Sequence, residues 1–294
     1  LKHEKSTFFP AQIGQGSTWD RDLVRRIGEI TGKEARALGY TNVYSPILDL
    51  ARDPRWGRTV ETYGEDPYLV GELGRQQVLG IQGQRVVSTP KHFSVYGVPA
   101  GGRDGYSRTD PHATPQEVHE LHLEPFRIAF QEAGALGTMV SMNDYNGTPM
   151  SSSSYFLTEL MRNQWGFKGY IVSDSWGNDQ NQVLYHVADS PEASIAQEIN
   201  AGTNVRTYFE LPEDFLIPLR KAVKDGLISE ETLNQRVREV LYVKFWLGLF
   251  DEPYTKDPKA ADQIVNNDEH RKVALQAARE SIVLLKNDGL LPLN

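Results

Sequence analysis

Five short apolar, β-branched runs, each followed by a longer helix-like stretch, constrain this chain more than any other feature. They lie at positions 42–48, 86–93, 137–143, 170–174 and 203–207. Strands that alternate with helices imply βαβ units and a parallel sheet. The run 170–174 (Tyr-Ile-Val-Ser-Asp) stops abruptly on a carboxylate and is followed by Ser175, Trp176 and Gly177. It reads as a buried parallel strand that delivers its last residue into a loop. The helix-like stretches carry start signals. Thr114-Pro115-Gln116-Glu117 is a capping box with proline at the first helical position, and Ser190-Pro191-Glu192 and Ser229-Glu230-Glu231 open two more helices. The last long helix has Leu233, Val237, Leu241 and Phe245, spaced by four, as its apolar residues, and it stops at Gly248. A doubly wound sheet would fit the alternation too, but no Gly-x-Gly-x-x-Gly follows a strand. A parallel α/β barrel is the expected fold.

Charge and composition narrow the function classes. The 294 residues carry a net charge of −8, which argues against a nucleic-acid or anionic-membrane partner, since phosphate binding needs a basic face. No apolar run approaches the roughly 18 residues of a membrane span. Cysteine is absent, which removes disulfides, thiolate metal sites and cysteine nucleophiles together and suits a periplasmic or secreted protein. The chain opens at Leu1 and closes on Leu290-Leu291-Pro292-Leu293-Asn294, just after the apolar run 281–285, which reads as a further strand. A fragment of something longer at both ends is expected. The texture from 250 to 268 is that of a surface linker, and 270–281 reads as a helix.

Each strand run ends in polar side chains. The first gives Asp49 and then Arg52-Asp53-Pro54-Arg55-Trp56-Gly57-Arg58; the others give Lys91-His92, Asn143-Asp144, Asp174 and Arg206. In a parallel barrel the loops at the carboxyl ends of the strands converge on one mouth, so these groups would face one pocket. Asp174 is the first candidate for a nucleophile. Lys91 and His92 offer fixed hydrogen-bond donors for sugar hydroxyls or a developing charge. Guanidinium forks suit hydroxyl pairs and carboxylates, and Trp56 is either a sugar platform or a core plug. For Arg52 and Arg55 a salt-bridge cluster with the following Glu61-Thr62-Tyr63-Gly64-Glu65-Asp66-Pro67 is as good a reading as substrate contact; Arg58 ranks higher. His119 and His122 lie on a helix without a third metal ligand, and surface or packing roles are expected for them.

Arg52–Arg58 with Glu65-Asp66-Pro67, Lys91-His92-Phe93, Gly102-Arg103-Asp104 and Val172-Ser173-Asp174 strongly resemble the motifs of glycoside hydrolase family 3, which includes exo-acting β-glucosidases and β-xylosidases. The resemblance runs from Phe8-Phe9-Pro10 to Leu284-Leu285-Lys286-Asn287. It implies an α/β fold: a (β/α)8 TIM-like barrel, incomplete at its N-terminus, over 1–249, a linker over 250–270, and the beginning of an α/β sandwich domain over 271–294. Asp174 then corresponds to the family's nucleophile, and Arg58, Lys91 and His92 to residues that hold the sugar in the −1 subsite. Met142 and Trp176 complete the expected substrate contacts. No cofactor or metal is implied. The substrate would be a β-linked oligosaccharide or an aryl glycoside, with the oligomeric state open.

The resemblance has departures. The family's general acid usually comes from the second domain, beyond Asn294, and a further subsite aspartate normally lies before Leu1. Where many members have Ser-Tyr, this chain has Ser141-Met142, so a thioether replaces a hydroxyl near the nucleophile. Relatives that remove N-acetylglucosamine carry an Asp-His pair in the barrel, and Thr109-Asp110-Pro111-His112 invites that alternative, with His112 as acid/base. Packing of His112 against the helix capped by Thr114 is the expectation. Those relatives also have a Gly-His-Gly turn where this chain has Ser94-Val95-Tyr96-Gly97. A non-catalytic sugar-binding barrel is the reading from another class.

Overall fold

The computed structural model describes residues 5–98, 110–207, 209–255 and 258–293; the Gly102-Arg103-Asp104 motif lies outside them. Two helices come first, α1 (Gln12–Ser17) and α2 (Arg21–Ala37), and Asp20 caps α2 by accepting the Leu23 N–H. Strand β1 (Asn42–Val43) leads to α3 (Pro67–Gly83) and β2 (Val87–Ser88). A helical stretch follows, containing α4 (Pro115–Glu117) and α5 (Glu124–Arg127) and wide π-type turns, and then β3 (Gly137–Met139). The expected capping box at Thr114 and Glu117 is present in full. A small antiparallel hairpin, β4 (Asp144–Tyr145) with β5 (Thr148–Pro149), precedes a π-type helix over Tyr155–Gln164. Strand β6 (Tyr170–Ser175), helices α6 (Gly177–Val183) and α7 (Pro191–Ala201), and β7 (Val205–Thr207) complete the sheet region. Then come α8 (Glu213–Lys224), α9 (Glu230–Trp246), α10 (Ala261–Ile264) and α11 (Asp268–Glu280).

All five expected runs pair in parallel. β1 pairs with β2, and β3–β6–β7 form a three-stranded sheet. A single parallel bridge, Ile47 to Lys91, extends the first pairing, and another, Phe93 to Val140, joins it to the three-stranded sheet. The spatial order is therefore the sequence order, and the Tyr44 hydroxyl lies 3.4 Å from Thr207 Oγ1, bringing the first run beside the last. Among the described residues the hydrogen-bonded sheet is not closed. The first two strands are shorter than their apolar runs because Pro46 and Pro90 interrupt them and supply no N–H to a ladder. Pairing continues past the prolines through Leu48 N–H to the Lys91 carbonyl (2.6 Å) and Phe93 N–H to the Met139 carbonyl (2.8 Å).

Phe93 anchors the middle of the main core. Fully buried, it meets Phe126 edge-on at 5.2 Å and packs beside Phe130, Phe156 and Trp165. Deleting such a ring costs about 3–5 kcal/mol, so the strand end that carries Lys91 and His92 is held from beneath.

In the C-terminal third, one stripe packs only in part and one expected strand is corrected. Leu233 of α9 does border a buried cluster of Ile195, Ile199, Ala222 and Ile228. However, Val237, Leu241 and Phe245 are 47%, 37% and 66% exposed, and Glu239 and Val243 are the buried residues. Each step of four advances about 40° round a helix of 3.6 residues per turn, so the stripe winds off the packed face. Glu239 is buried because it is paired with Arg162 (2.9 Å) and Arg236 (3.0 Å), and burial pulls the Arg162 guanidinium down to about 10. The run 281–285 forms no strand. Ile282 and Leu285 are 78% and 92% exposed, and a strand needs a neighbouring chain for its N–H and C=O groups. The helix before it is present as α11 and packs Ala277 against Leu23 and Ile27 of α2.

Candidate active site

The strand ends bring Asp49, Arg58, Lys91, His92 and Asp174 together. His92 is the hub, with its side chain 1% exposed. Its Nδ1 lies 2.7 Å from Asp49 Oδ2, and the same oxygen accepts the His92 backbone N–H at 3.2 Å. On the other edge of the ring, Arg58 Nη1 is 3.0 Å from Nε2, and Asp174 Oδ2 is 3.8 Å from it. Asp174 is the penultimate residue of β6, with its side chain 15% exposed, and its Oδ1 accepts the Ser175 N–H at 2.6 Å. Nearby, Gly97 crosses Leu50 so closely that a Cβ there would sit 2.4 Å from the Leu50 carbonyl oxygen. This lets the segment after Lys91-His92 lie against the segment after Asp49. The Lys91–His92 and Phe93–Ser94 peptides are cis.

Arg58 and Lys91 bring positive charge to this site, so their counter-charges matter. Arg58 donates two parallel hydrogen bonds to Glu61, both 2.8 Å. Burial opposes its charge, but Glu61 wins and the guanidinium is held above its ordinary range. Glu61 is pulled below its ordinary value by those same bonds, against the opposing effect of burial. A carboxyl held down in this way is a poor proton donor. The Lys91 ammonium is lowered by burial and by Arg58, with Asp174, Glu61 and Asp49 working against them, and it sits 5.9 Å from the centre of the Tyr44 ring.

The aromatic groups divide between plug and rim. Trp56 is 1% exposed and packs edge-on against Tyr96 at 5.8 Å, so it is a core plug. Tyr96 in turn meets the His92 ring at 5.1 Å, and its hydroxyl is raised by burial, with Arg58 working the other way. Met142 joins Trp56 and Tyr96 as a buried trio beneath the site, and the Tyr185 hydroxyl donates to its carbonyl at 2.5 Å. Trp176 stands at the rim. It is 49% exposed, left-handed at φ 58°, and its N–H donates to the Thr207 carbonyl. Arg52 and Arg55 are exposed outside this cluster, with Arg55 paired to Asp53.

The other sequence candidates lie elsewhere. His112 is not packed against its helix: its side chain is 84% exposed and its N–H donates to Asp110 Oδ1 at 2.7 Å. His119 shares a hydrogen bond with the Tyr155 hydroxyl, and His122 is buried, with its imidazole brought down to about 4 by desolvation. Asp49, Glu61 and Tyr96 were not singled out from sequence as site residues. Asp49 was visible as a polar strand end, but its partner is 43 residues away.

Known proteins resemble this chain closely. Residues 2–243 match the model of the glycosyl hydrolase family 3 N-terminal domain. A periplasmic β-glucosidase of Salmonella typhimurium is 36% identical over 97% of this chain and 38% of its own length. A β-xylosidase of Formosa agariphila is 33% identical over 98% of this chain and 41% of its own. The solved structure of a β-glucosidase from Erythrobacter marinus superposes with a TM-score of 0.92 at 35% identity, covering 99% of this chain and 39% of that one. The chain thus spans about two fifths of the length of these relatives. With its strand-end cluster and a match over most of its length, the chain belongs to glycosyl hydrolase family 3 and carries that family's N-terminal domain.

Proposed function

We propose that this chain is the (β/α)8 barrel part of a retaining, exo-acting β-glycoside hydrolase that releases a terminal β-linked glucose or xylose. The observation that carries the reading is Asp174 at the end of a parallel strand with Arg58, Lys91 and His92 around it. Solved β-glucosidases of the same shape, including one from Listeria innocua in complex with glucose, support it. In this scheme Asp174 attacks the anomeric carbon, the glycosidic C–O bond breaks, and the leaving oxygen takes a proton from a general acid. Water then attacks the glycosyl-enzyme, gives its proton to the same group acting as base, and frees Asp174. Arg58, Lys91 and His92 hold the sugar hydroxyls so that the anomeric carbon lies against Asp174.

The carboxylates beside Asp174 are poor candidates for the acid: Glu61 is tied to Arg58, and Asp49 is buried against His92. We assign the acid to a further domain of the protein, with residues 271–294 leading into it. A periplasmic or secreted location accords with the absence of cysteine and with the periplasmic relatives. Among the described residues no helix is long and apolar enough to cross a membrane.

Kinetics of the intact protein on nitrophenyl glucoside, xyloside and N-acetylglucosaminide test the reading, with proton NMR of the first-formed anomer. The expected result is β-anomer release from the glucoside or xyloside. Preference for the N-acetylglucosaminide, lost in His112→Ala, would move the assignment to the alternative acid/base. No turnover of any substrate, with sugar binding intact, would make the barrel a binding module.

A further inference from the structure

We infer that Asp49 is a positioning residue that locks His92 in one tautomer, with its proton on Nδ1 and the lone pair of Nε2 turned to Arg58 beside the nucleophile. The inference rests on the proposed role of Asp174 and extends it to the residue behind His92.

Two contacts on opposite edges of the ring require the same proton placement. Asp49 Oδ2 lies 2.7 Å from Nδ1 and already accepts the His92 backbone N–H at 3.2 Å, so it faces the ring as an acceptor. Arg58 Nη1 lies 3.0 Å from Nε2. A guanidinium has donors only, so Nε2 must offer a lone pair. Arg58 is not free to turn away, because two further bonds fix it to Glu61. The result is a line of four side chains, Asp49–His92–Arg58–Glu61, with a carboxylate at each end and every proton on it assigned.

The consequence falls on Asp174. Its Oδ2 is 3.8 Å from Nε2, and with the proton on the far nitrogen no hydrogen bond runs between them. His92 therefore neither neutralises the nucleophile nor competes for its lone pair, and the one lone pair of Nε2 is spent on Arg58, fixing that guanidinium beside Asp174. The opposite tautomer would point one N–H at Arg58, donor against donor, and at Asp174, tying up the attacking oxygen. Asp49 Oδ1 is buried with no hydrogen-bond partner among the described residues, so this carboxylate has its one polar contact at His92. Carboxylates that orient metal-bound histidines in the same way change activity by about 10- to 100-fold when removed, which sets the scale expected here.

The test needs two readouts. In the wild-type protein, side-chain 15N NMR of His92 is expected to show a protonated Nδ1 and an unprotonated Nε2. A proton on Nε2 would overturn the inference, and this measurement does not depend on catalysis. In the intact protein, Asp49→Ala is expected to lower kcat on an aryl glycoside by about 10- to 100-fold with a smaller change in KM. Asp49→Asn keeps one acceptor oxygen for the Nδ1 proton and is expected to recover about tenfold of that loss, because orienting the ring needs an acceptor at that place. Equal losses in Asn and Ala, or less than threefold loss in Ala (a change of about 0.6 kcal/mol by the 1.36 kcal/mol per decade relation), would sink the proposal. If Asp49→Ala fails to fold, the Asn variant and the wild-type spectrum decide alone. Retained turnover in Asp174→Asn would instead overturn the nucleophile assignment, whatever the spectrum shows.

Discussion

Among the described residues, two buried histidine–carboxylate pairs share the same short contact, and they do different things. His92 meets Asp49 at 2.7 Å, and His270 of α11 meets Glu34 of α2 at 2.7 Å. The environment of the carboxylate separates them. Glu34 accepts from the Thr7 hydroxyl and N–H, from the Asn266 N–H and from His270, so both its oxygens are used. It ties three distant segments together and leaves nothing over. At Asp49 one oxygen serves the histidine and the other has no partner among the described residues. The far edge of the His92 ring then opens toward Arg58 and Asp174. A saturated pair is a clamp; a pair whose far edge meets other charges is a device for aiming them.

The largest expected effect is at the aimed end of the second kind of pair. Asp174→Asn in the intact protein should lower kcat by about 10⁴-fold with unchanged thermal stability, as loss of a nucleophile does. Retained turnover would leave the His92 pair with nothing to aim at.

The clamp should behave in the opposite way. Glu34→Gln removes one member of a buried pair and should cost about 3 kcal/mol of stability, read by denaturant unfolding, while kcat stays at the wild-type value. The pH dependence has a definite sign. Burial raises Glu34, but its four hydrogen bonds outweigh burial and leave it below its ordinary value of 4.5. Its contribution is therefore complete above pH 4.5 and is lost as pH falls through the lowered value. The Gln variant should converge on wild type in acid; a constant gap at all pH values would show that the clamp is not ionic.

A smaller effect is expected at Glu61, which holds Arg58 against His92. Glu61→Gln keeps the shape but removes the charge-assisted fork, and KM should rise about tenfold. An unchanged KM would cut Glu61 out of the line of four.

The smallest concerns His122, a buried histidine without a carboxylate clamp among the described residues. Its imidazole drops from 6.5 to about 4 mainly by desolvation, so folding disfavours its protonation. Stability should then fall as pH moves from 6.5 down toward 4, and His122→Gln should flatten that slope in urea titrations. An identical slope in the variant would place the acid sensitivity elsewhere.

Much of this molecule was legible from local pattern. The parallel runs, their polar ends and the caps at Thr114, Ser190 and Ser229 follow from period, β-branching and side-chain chemistry within a few residues. Lys91, His92 and Asp174 stood out at the ends of apolar runs, and Arg58 in the arginine-rich stretch after the first, and the structure does gather them.

What local pattern misjudged depended on packing partners. The stripe on α9 was apolar, yet a spacing of four cannot tell which part of a winding stripe meets the sheet, and Glu239 could go inside only because two arginines came to it. The run 281–285 had strand composition, but among the described residues no neighbouring strand pairs with it. Trp56 could have been platform or plug until Tyr96 and Met142 closed over it.

The sequence by itself determined the alternation of strands and helices and the kinds of group placed at the strand ends, because those are properties of neighbouring residues. Only the tertiary structure decided that Asp49 backs His92, that Arg58 meets the far edge of that ring, and that the same pair chemistry at Glu34 serves as a clamp. These contacts join residues brought together by the fold, and hydrogen-bond partners and desolvation are set by the surroundings rather than by spacing.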